Sequence, residues 1–216
     1  MTRHRSAVGK VVAHGGCVTH DIHTTDFTKG RELMRMRAEI DRLRQDNDRL
    51  SQLAYRDALT GLRNRRYFGE RLSEELCRLK RNPVGALSVI VIDVNDFKRL
   101  NDTQGHSAGD AALIAVGKVL ETLIRLEDVA CRLGGDEFIV LLPDTTREQA
   151  LTVLERIRSH MPALAGVGLS RRALALGLGS WEPNDDEIRL LSRADEEMYA
   201  DKREASGVPA GLKRAA

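Results

Sequence analysis

Apolar residues recur every seven positions between Lys29 and Asp57. Leu33, Ile40 and Ala54 share one set with Asn47, and Met36, Leu43 and Leu50 form a second. These are the a and d positions of a heptad, the seam along which two helices pair. The flanking g and e positions carry Glu32 with Arg37 and Glu39 with Arg44, opposite charges at the offset that links two parallel strands. Asn47 at an a position lowers stability but favours a two-stranded, in-register pair, because two asparagines bond to each other across the seam. The pattern predicts a parallel homodimeric coiled coil over residues 29–57, in preference to a helix packed on its own domain.

Beyond Asp57 the period breaks. A polar, glycine-containing stretch (Ala58 to Arg66) precedes a helix predicted over 67–80, with Leu72, Leu76 and Leu79 on one face and Asn82-Pro83 as its stop. The β-branched run from Ala86 to Ile92 has the character of a buried strand and ends at the acidic Asp93. Residues 108–126 are apolar at helical spacing through Leu113, Val116, Leu120 and Leu123. Two short strands, 129–133 and 138–142, flank Gly134-Gly135-Asp136-Glu137, a hairpin signal because consecutive glycines permit positive φ. A helix over 146–160, a strand over 173–179 and an amphipathic helix over 185–203 follow, the last with Ile188, Leu191, Ala194 and Met198 expected to face inward. Strands alternating with helices, interrupted by a hairpin, predict an α/β fold whose mixed central sheet is flanked by helices. The expected organisation is a flexible segment (1–28), a dimerisation stalk (29–57), one globular domain (58–205) and a tail (206–216).

Composition narrows the class. The 216 residues suit one domain plus an extension, and 42% hydrophobic with 31% charged residues is enough to bury a core. A charge sum of +2, from 34 basic and 32 acidic residues, argues against a dedicated nucleic-acid binder. Three irregularly spaced cysteines, Cys17, Cys77 and Cys131, imply no disulfide framework and fit a reducing cytosol. No apolar run approaches the length of a membrane span and the amino terminus has no signal-peptide core, so a soluble, cytoplasmic protein without a membrane span is expected. Four of the six histidines lie in the first 28 residues. Cys17-x2-His20-x2-His23 with His14 has zinc-ligand chemistry, but its spacing fits no structural zinc motif well, and incidental histidines on a tail are preferred.

Candidate chemistry gathers at Asp93-Val94-Asn95-Asp96-Phe97-Lys98 and at the Gly134–Glu137 turn. Carboxylates at a strand end and on a glycine turn suit a hard cation such as magnesium, which takes oxygen ligands and keeps phosphate in its shell. Paired glycines let a phosphate approach backbone amides, and Lys98 adds a point charge. On its own, Gly-Gly-Asp-Glu reads as ordinary hairpin chemistry.

It is accompanied by other motifs. Arg132-Leu-Gly-Gly-Asp-Glu-Phe138 resembles the signature of GGDEF-domain diguanylate cyclases. Asp57-Ala-Leu-Thr-Gly-Leu-Arg-Asn-Arg-Arg66 resembles that family's domain opening. Asp93-Val-Asn-Asp-Phe-Lys-Arg-Leu-Asn-Asp102, with Gly105-His106 and Gly109-Asp110, resembles its nucleotide-binding segment, and Ala194-Asp195 with Met198-Tyr199 and Lys202 its closing helix. The resemblance spans about residues 55–203, with the motifs in order and at the right intervals.

The resemblance implies a nucleotidyl-cyclase and polymerase-palm-like fold. It also implies condensation of two GTP into cyclic di-GMP with release of pyrophosphate, in a homodimer whose subunits each hold one GTP, as part of bacterial signalling in biofilm formation. It assigns Asp93, the Val94 carbonyl, Asp136 and Glu137 to magnesium, with manganese as the alternative, and makes Asp136 the base for the 3′-hydroxyl, with Glu137 beside it. Asn101 and Asp110 match guanine-binding positions, His106 another substrate contact, and Gly134 and Gly135 the phosphate turn. Phe97 is expected to pack beneath the site, and Lys98 and Lys202 to meet the terminal phosphates. One departure is Ser206, where the family commonly carries a phosphate-binding arginine. Arg125-x-x-Asp128 matches its inhibitory site for cyclic di-GMP, the ion pair at a helix end being the plainer alternative. A catalytically silent module that only binds GTP or cyclic di-GMP, and a coiled-coil interaction protein with a passive domain, are the competing function classes; the complete Gly-Gly-acidic-acidic turn weighs against the first, and the three carboxylates, which repel one another without a cation, against the second. A regulatory protein acting on the first fifty or so residues is one expected input. The Arg171-Arg172 pair suggests no more than a solvated strand edge.

Overall fold

The computed structural model describes residues 22–170 and 172–205, apart from the side chains of 22–28, 52 and 53. The Cys17–His23 grouping, Arg171 and Ser206 lie outside the described residues or side chains. The chain divides into two units between Asp48 and Arg49. Helix α1 (Ile22–Tyr55) begins ahead of the predicted Lys29 and stops short of Asp57. In a single chain its heptad residues Leu33, Met36, Ile40, Leu43 and Leu50 are all exposed, Leu50 by 65%.

The larger unit is a five-stranded sheet in the order β1-β3-β4-β2-β5. The strands are β1 (Arg63–Asn64), β2 (Leu87–Val94), β3 (Val129–Gly134), β4 (Glu137–Pro143) and β5 (Leu174–Ser180). β1 runs parallel to β3, and every other neighbouring pair is antiparallel, so the sheet is mixed as expected. Strand alternation sorts side chains onto two cores. Ile90, Ile92 and Val94 of β2 face the cluster built with Leu113, Val116, Leu120 and Ile157, whereas Val89 and Val91 face the one built with Leu72, Leu79, Leu190 and Ala194. Helices α2 (Arg65–Arg81) and α6 (Glu187–Ala205) thus cover one face, and α4 (His106–Leu123) and α5 (Arg147–His160) the other. A carboxylate at position 93 continues the Val89 and Val91 side of β2, toward α2 and α6.

Capping chemistry sets several ends. The Asn64 side chain accepts from the Tyr67 amide at the start of α2, and Thr146 with Gln149 forms a complete capping box on α5. β5 is an edge strand, and α6 satisfies it directly. The Leu176 amide donates to Asp201 at 2.8 Å and the Leu178 amide to Glu197 at 3.2 Å.

Four features depart from expectation. Helix α4 ends at Leu123 rather than Leu126, and Leu126 is 98% exposed on the turn that follows. α6 starts at Glu187, and Ile188 does not face inward; it is exposed, while Leu190 and Ala194 are fully buried. The cause lies in β5, where Gly177 and Gly179 leave room for the α6 backbone: a Cβ at 177 would fall 2.0 Å from the Ala194 carbonyl oxygen. That approach selects the helix face centred on Leu190 and Ala194. β2 also runs through Asp93 to Val94. Finally α3 (Phe97–Gln104), a 3-10 turn over Met161–Val167 and the two-residue β1 have no periodic signature long enough to announce them.

Candidate active site

The sheet register brings the two acidic motifs together. Asp93 pairs with Glu137 across β2 and β4, and the Val94 amide donates to the Asp136 carbonyl at 3.2 Å. Between β3 and β4 the chain reverses through Gly134 (φ 142°) and Gly135 (φ 53°), backbone conformations that favour glycine. The Asp136 carboxylate is close enough to Asp93 to perturb it. Burial pushes the Asp93 carboxyl above the usual aspartate range, Lys202 pulls it back, and Asp136 pushes it up again. Lys202 donates to Asp93 Oδ1 at 2.6 Å.

A guanidinium braces the turn. Arg132 donates through Nε and Nη2 to the Gly135 carbonyl at 3.0 and 2.7 Å, and through Nη1 to both Asp57 carboxylate oxygens at 3.1 and 3.2 Å. Asp57 also accepts from the Thr60 amide and hydroxyl at 2.8 and 2.7 Å. Burial works to raise the Asp57 carboxyl, but the bonds from Thr60 and Arg132 outweigh it and hold it below the usual range. The domain-opening motif therefore acts on the glycine turn through Arg132, 75 residues from Asp57. Neither this brace nor the bond from Arg65 Nε to the Leu133 carbonyl at 2.9 Å has a local sequence signal.

Glu137 is drawn toward Arg65, at 3.5 Å, and is largely exposed. Among the described residues no three His, Cys, Asp or Glu side chains gather as a metal cluster. Two carboxylates and nearby backbone oxygens are nonetheless the hard donors magnesium takes, and an ammonium on Asp93 marks the place as one that attracts a cation.

At the far side, Gly109 is buried against Asn101 and Phe97: a Cβ there would meet Asn101 Oδ1 at 2.0 Å and Phe97 Cε2 at 3.2 Å. Asn101 Oδ1 is buried, with no hydrogen-bond partner among the described residues. A buried acceptor left unpaired costs about 1–3 kcal/mol, which a donor on a ligand recovers. His106, Asp110 and Lys98 are exposed on α4 and α3, and Phe97 is half-buried against the core.

The Arg125–Asp128 segment is a separate feature. Its turn is closed by the Arg125 amide donating to Asp128 Oδ2 at 2.9 Å, so the carboxylate grips backbone rather than the guanidinium. Both residues line a cavity of about 440 Å3 with Arg56, Arg63, Tyr67 and Glu121. Burial raises the Asp128 carboxyl, opposed by Arg125 and by the charge of Arg156. Arg156, whose buried Nε has no partner among the described residues, has no signal in the sequence.

The mixed sheet thus sets Asp136 and Glu137 on a glycine turn beside Asp93 of β2, with Lys202 on that strand carboxylate. The chain belongs to the family described as diguanylate cyclase, GGDEF domain, whose model matches residues 54–207. It is 39% identical over 184 residues to the response regulator PleD of Caulobacter vibrioides, covering 82% of this chain and 39% of that protein. It is 32% identical over 209 residues to the diguanylate cyclase DgcM of Escherichia coli, covering 94% of this chain and 46% of that one. The chain thus spans less than half the length of either relative. Among solved structures, the coiled coil and GGDEF domain of DgcB from Caulobacter crescentus in complex with c-di-GMP superposes with TM-score 0.71 at 26% identity, covering 84% of this chain and 96% of that one. The diguanylate cyclase SiaD from Pseudomonas aeruginosa, in complex with its activator SiaC, gives 0.66 at 30% identity over 84% and 71%.

Proposed function

We propose that this chain is a diguanylate cyclase that condenses two GTP into cyclic di-GMP and two pyrophosphates. The observation that carries the proposal is the meeting of Asp93 and Asp136 at the Gly134-Gly135 turn, with Lys202 on Asp93. The orphaned Asn101 oxygen supports guanine, whose N1 and amino groups are donors, over adenine, and Asp110 on the next helix offers a second acceptor. Gly134 and Gly135 leave the turn without side chains against an approaching phosphate. Lys98 and Lys202 supply charge to the phosphates, Asp136 takes the 3′-hydroxyl proton, and His106 contacts substrate. Magnesium, or manganese, would be held by Asp93, the Val94 carbonyl, Asp136 and Glu137. When bound it neutralises charge developing on the phosphates. Positioning supplies the remainder of the acceleration.

Because each site holds one GTP, two domains must face each other, and the exposed heptad of α1 is the means of bringing them together. Residues 29–57 act as the stalk and 58–205 as the catalytic domain. A neighbour solved with an activator protein supports a regulatory partner here as well. Its action on the N-terminal region is part of our reading. Among the described residues no helix is long and apolar enough to cross a membrane, which accords with a cytoplasmic enzyme. Arg125 and Asp128 serve product inhibition, supported by the cavity they share and by the complex of DgcB with c-di-GMP. Arg125→Ala is expected to relieve inhibition by added cyclic di-GMP, and an unchanged inhibition curve would refute that role. The primary test is purified chain incubated with GTP or ATP and magnesium, with products identified by mass spectrometry. Cyclic di-GMP from GTP alone is expected; its absence, with Asp136→Ala indistinguishable from the parent, would favour a silent binding module.

A further inference from the structure

Arg172 precedes β5, and its side chain is exposed. In the fold it lines a polar cavity of about 380 Å3 with Asn95, Asp96, Ser170, Lys202 and Ala205. At about 30 Å3 per water that space holds about a dozen waters, ample room for phosphate groups. One wall residue, Lys202, is bonded to Asp93 and so links the cavity to that carboxylate. Helix α3 begins at the same wall, and the Asp96 side chain caps none of its amides, so the helix adds partial positive charge there. Asp96, the cavity's carboxylate, already faces Arg99 at 3.5 Å.

The backbone at Arg172 is fixed independently of its side chain. Asn95 Nδ2 donates to the Arg172 carbonyl at 2.8 Å, and the Asn95 amide donates to the Ala173 carbonyl at 2.8 Å. Asp201 and Glu204 line a neighbouring cavity that Arg172 also borders; Asp201 is taken by Arg158 at 3.2 Å and by the Leu176 amide at 2.8 Å, and Glu204 is exposed. A planar guanidinium of this kind, held at the rim of a cationic, polar cavity, matches the geometry of phosphate oxygens.

We propose that Arg172 is a substrate-binding residue for the terminal phosphates of the nucleoside triphosphate, acting with Lys202 across this cavity. The assignment rests on the cyclase function proposed above. It deepens that function by naming a further cation, remote in sequence from the GGDEF motif, that helps distinguish a triphosphate from a monophosphate.

The test is calorimetric binding, with magnesium, of guanosine 5′-(α,β-methylene)triphosphate, in which the bond cleaved in the reaction is blocked, compared with GMP. Arg172→Ala is expected to weaken the triphosphate roughly tenfold and leave GMP unchanged, as loss of one charge-assisted contact implies. Arg172→Lys should fall between, and Lys118→Ala, an exposed cation on α4, should match the parent. In turnover, Arg172→Ala should raise KM for GTP with kcat held within about twofold, since the contact is made before and during reaction alike. Equal triphosphate binding by parent and Arg172→Ala, or an equal loss for GMP, would overturn the assignment while leaving the cyclase function standing. A parent chain that binds neither nucleotide would overturn both.

Discussion

Replacing Arg132 by alanine removes the brace between the domain opening and the glycine turn. The side chain is only 12% exposed and its partner Asp57 only 21%, so water does not readily replace the lost contacts. Four hydrogen bonds disappear, two to the Gly135 carbonyl and two to Asp57, and Asp57 keeps its bonds from Thr60. Breaking a fully buried pair costs about 3–5 kcal/mol, and the residual exposure and the Thr60 bonds place this one near the lower end, about 3 kcal/mol. At about 2–4 °C per kcal/mol for a domain of this size, Tm should fall by about 6–12 °C. In urea, with a slope of about 2 kcal/mol/M, the midpoint should fall by about 1.5 M at unchanged slope. Arg132→Ala combined with Asp57→Ala should cost less than the sum of the two single changes, by at least about 1 kcal/mol. A Tm within about 1 °C of the parent, or strictly additive losses, would refute the brace.

Gly177→Ala should be more damaging than its size suggests, because the new methyl meets Ala194 and Met198 backbone atoms that cannot move aside; about 3 kcal/mol by urea unfolding is expected, and a neutral result would contradict the close packing of α6 on β5. Gly109→Ala should displace the Asn101 amide without unfolding α4, weakening GTP roughly tenfold while Tm stays close to the parent's, and unaltered GTP affinity would dissociate Asn101 from guanine. In metal-free protein the Asp93 carboxyl should titrate by NMR above the ordinary aspartate value of about 3.9, and Lys202→Met should raise it further by leaving burial and Asp136 unopposed. The sign for stability follows: a raised folded pKa means ionised Asp93 destabilises the domain above that pKa, and the penalty is relieved as pH falls through it toward the ordinary value. Asp57 runs the other way, contributing stability above about pH 4 that is lost as pH falls through its lowered pKa. Asp93 titrating at or below the ordinary value would refute the account of its surroundings.

Much of this architecture could be read from local pattern, and what could not shares a physical cause. The 3.5-residue repeat of α1, the buried run of β2 and the Gly134-Gly135 reversal announce themselves because each is decided by its own residues. The inner face of α6 is not so decided. It is chosen by glycines on β5, and Ile188 loses its expected place to Leu190 for that reason. Helix α3 offers the core a buried Leu100 and a half-buried Phe97, too little apolar surface to show a period. In the site, the carboxylates Asp93 and Asp136 were legible from their motifs, but the direction of Glu137 toward Arg65 was not, since β1 and α2 bring that arginine in from 72 residues away. The same holds for Arg172 and Arg156, ordinary arginines until the sheet and helices assemble around them.

The central claim is that two chains, each presenting one GTP, make one cyclic di-GMP. The most direct measurement is the rate of cyclic di-GMP formation per chain, followed over a wide range of protein concentration at saturating GTP. The account predicts that the rate per chain rises with concentration and levels off as the dimer fills, and that Asp136→Asn abolishes it at every concentration. A rate per chain that is constant down to concentrations at which the chain is monomeric, or product formation that survives Asp136→Asn, would contradict it.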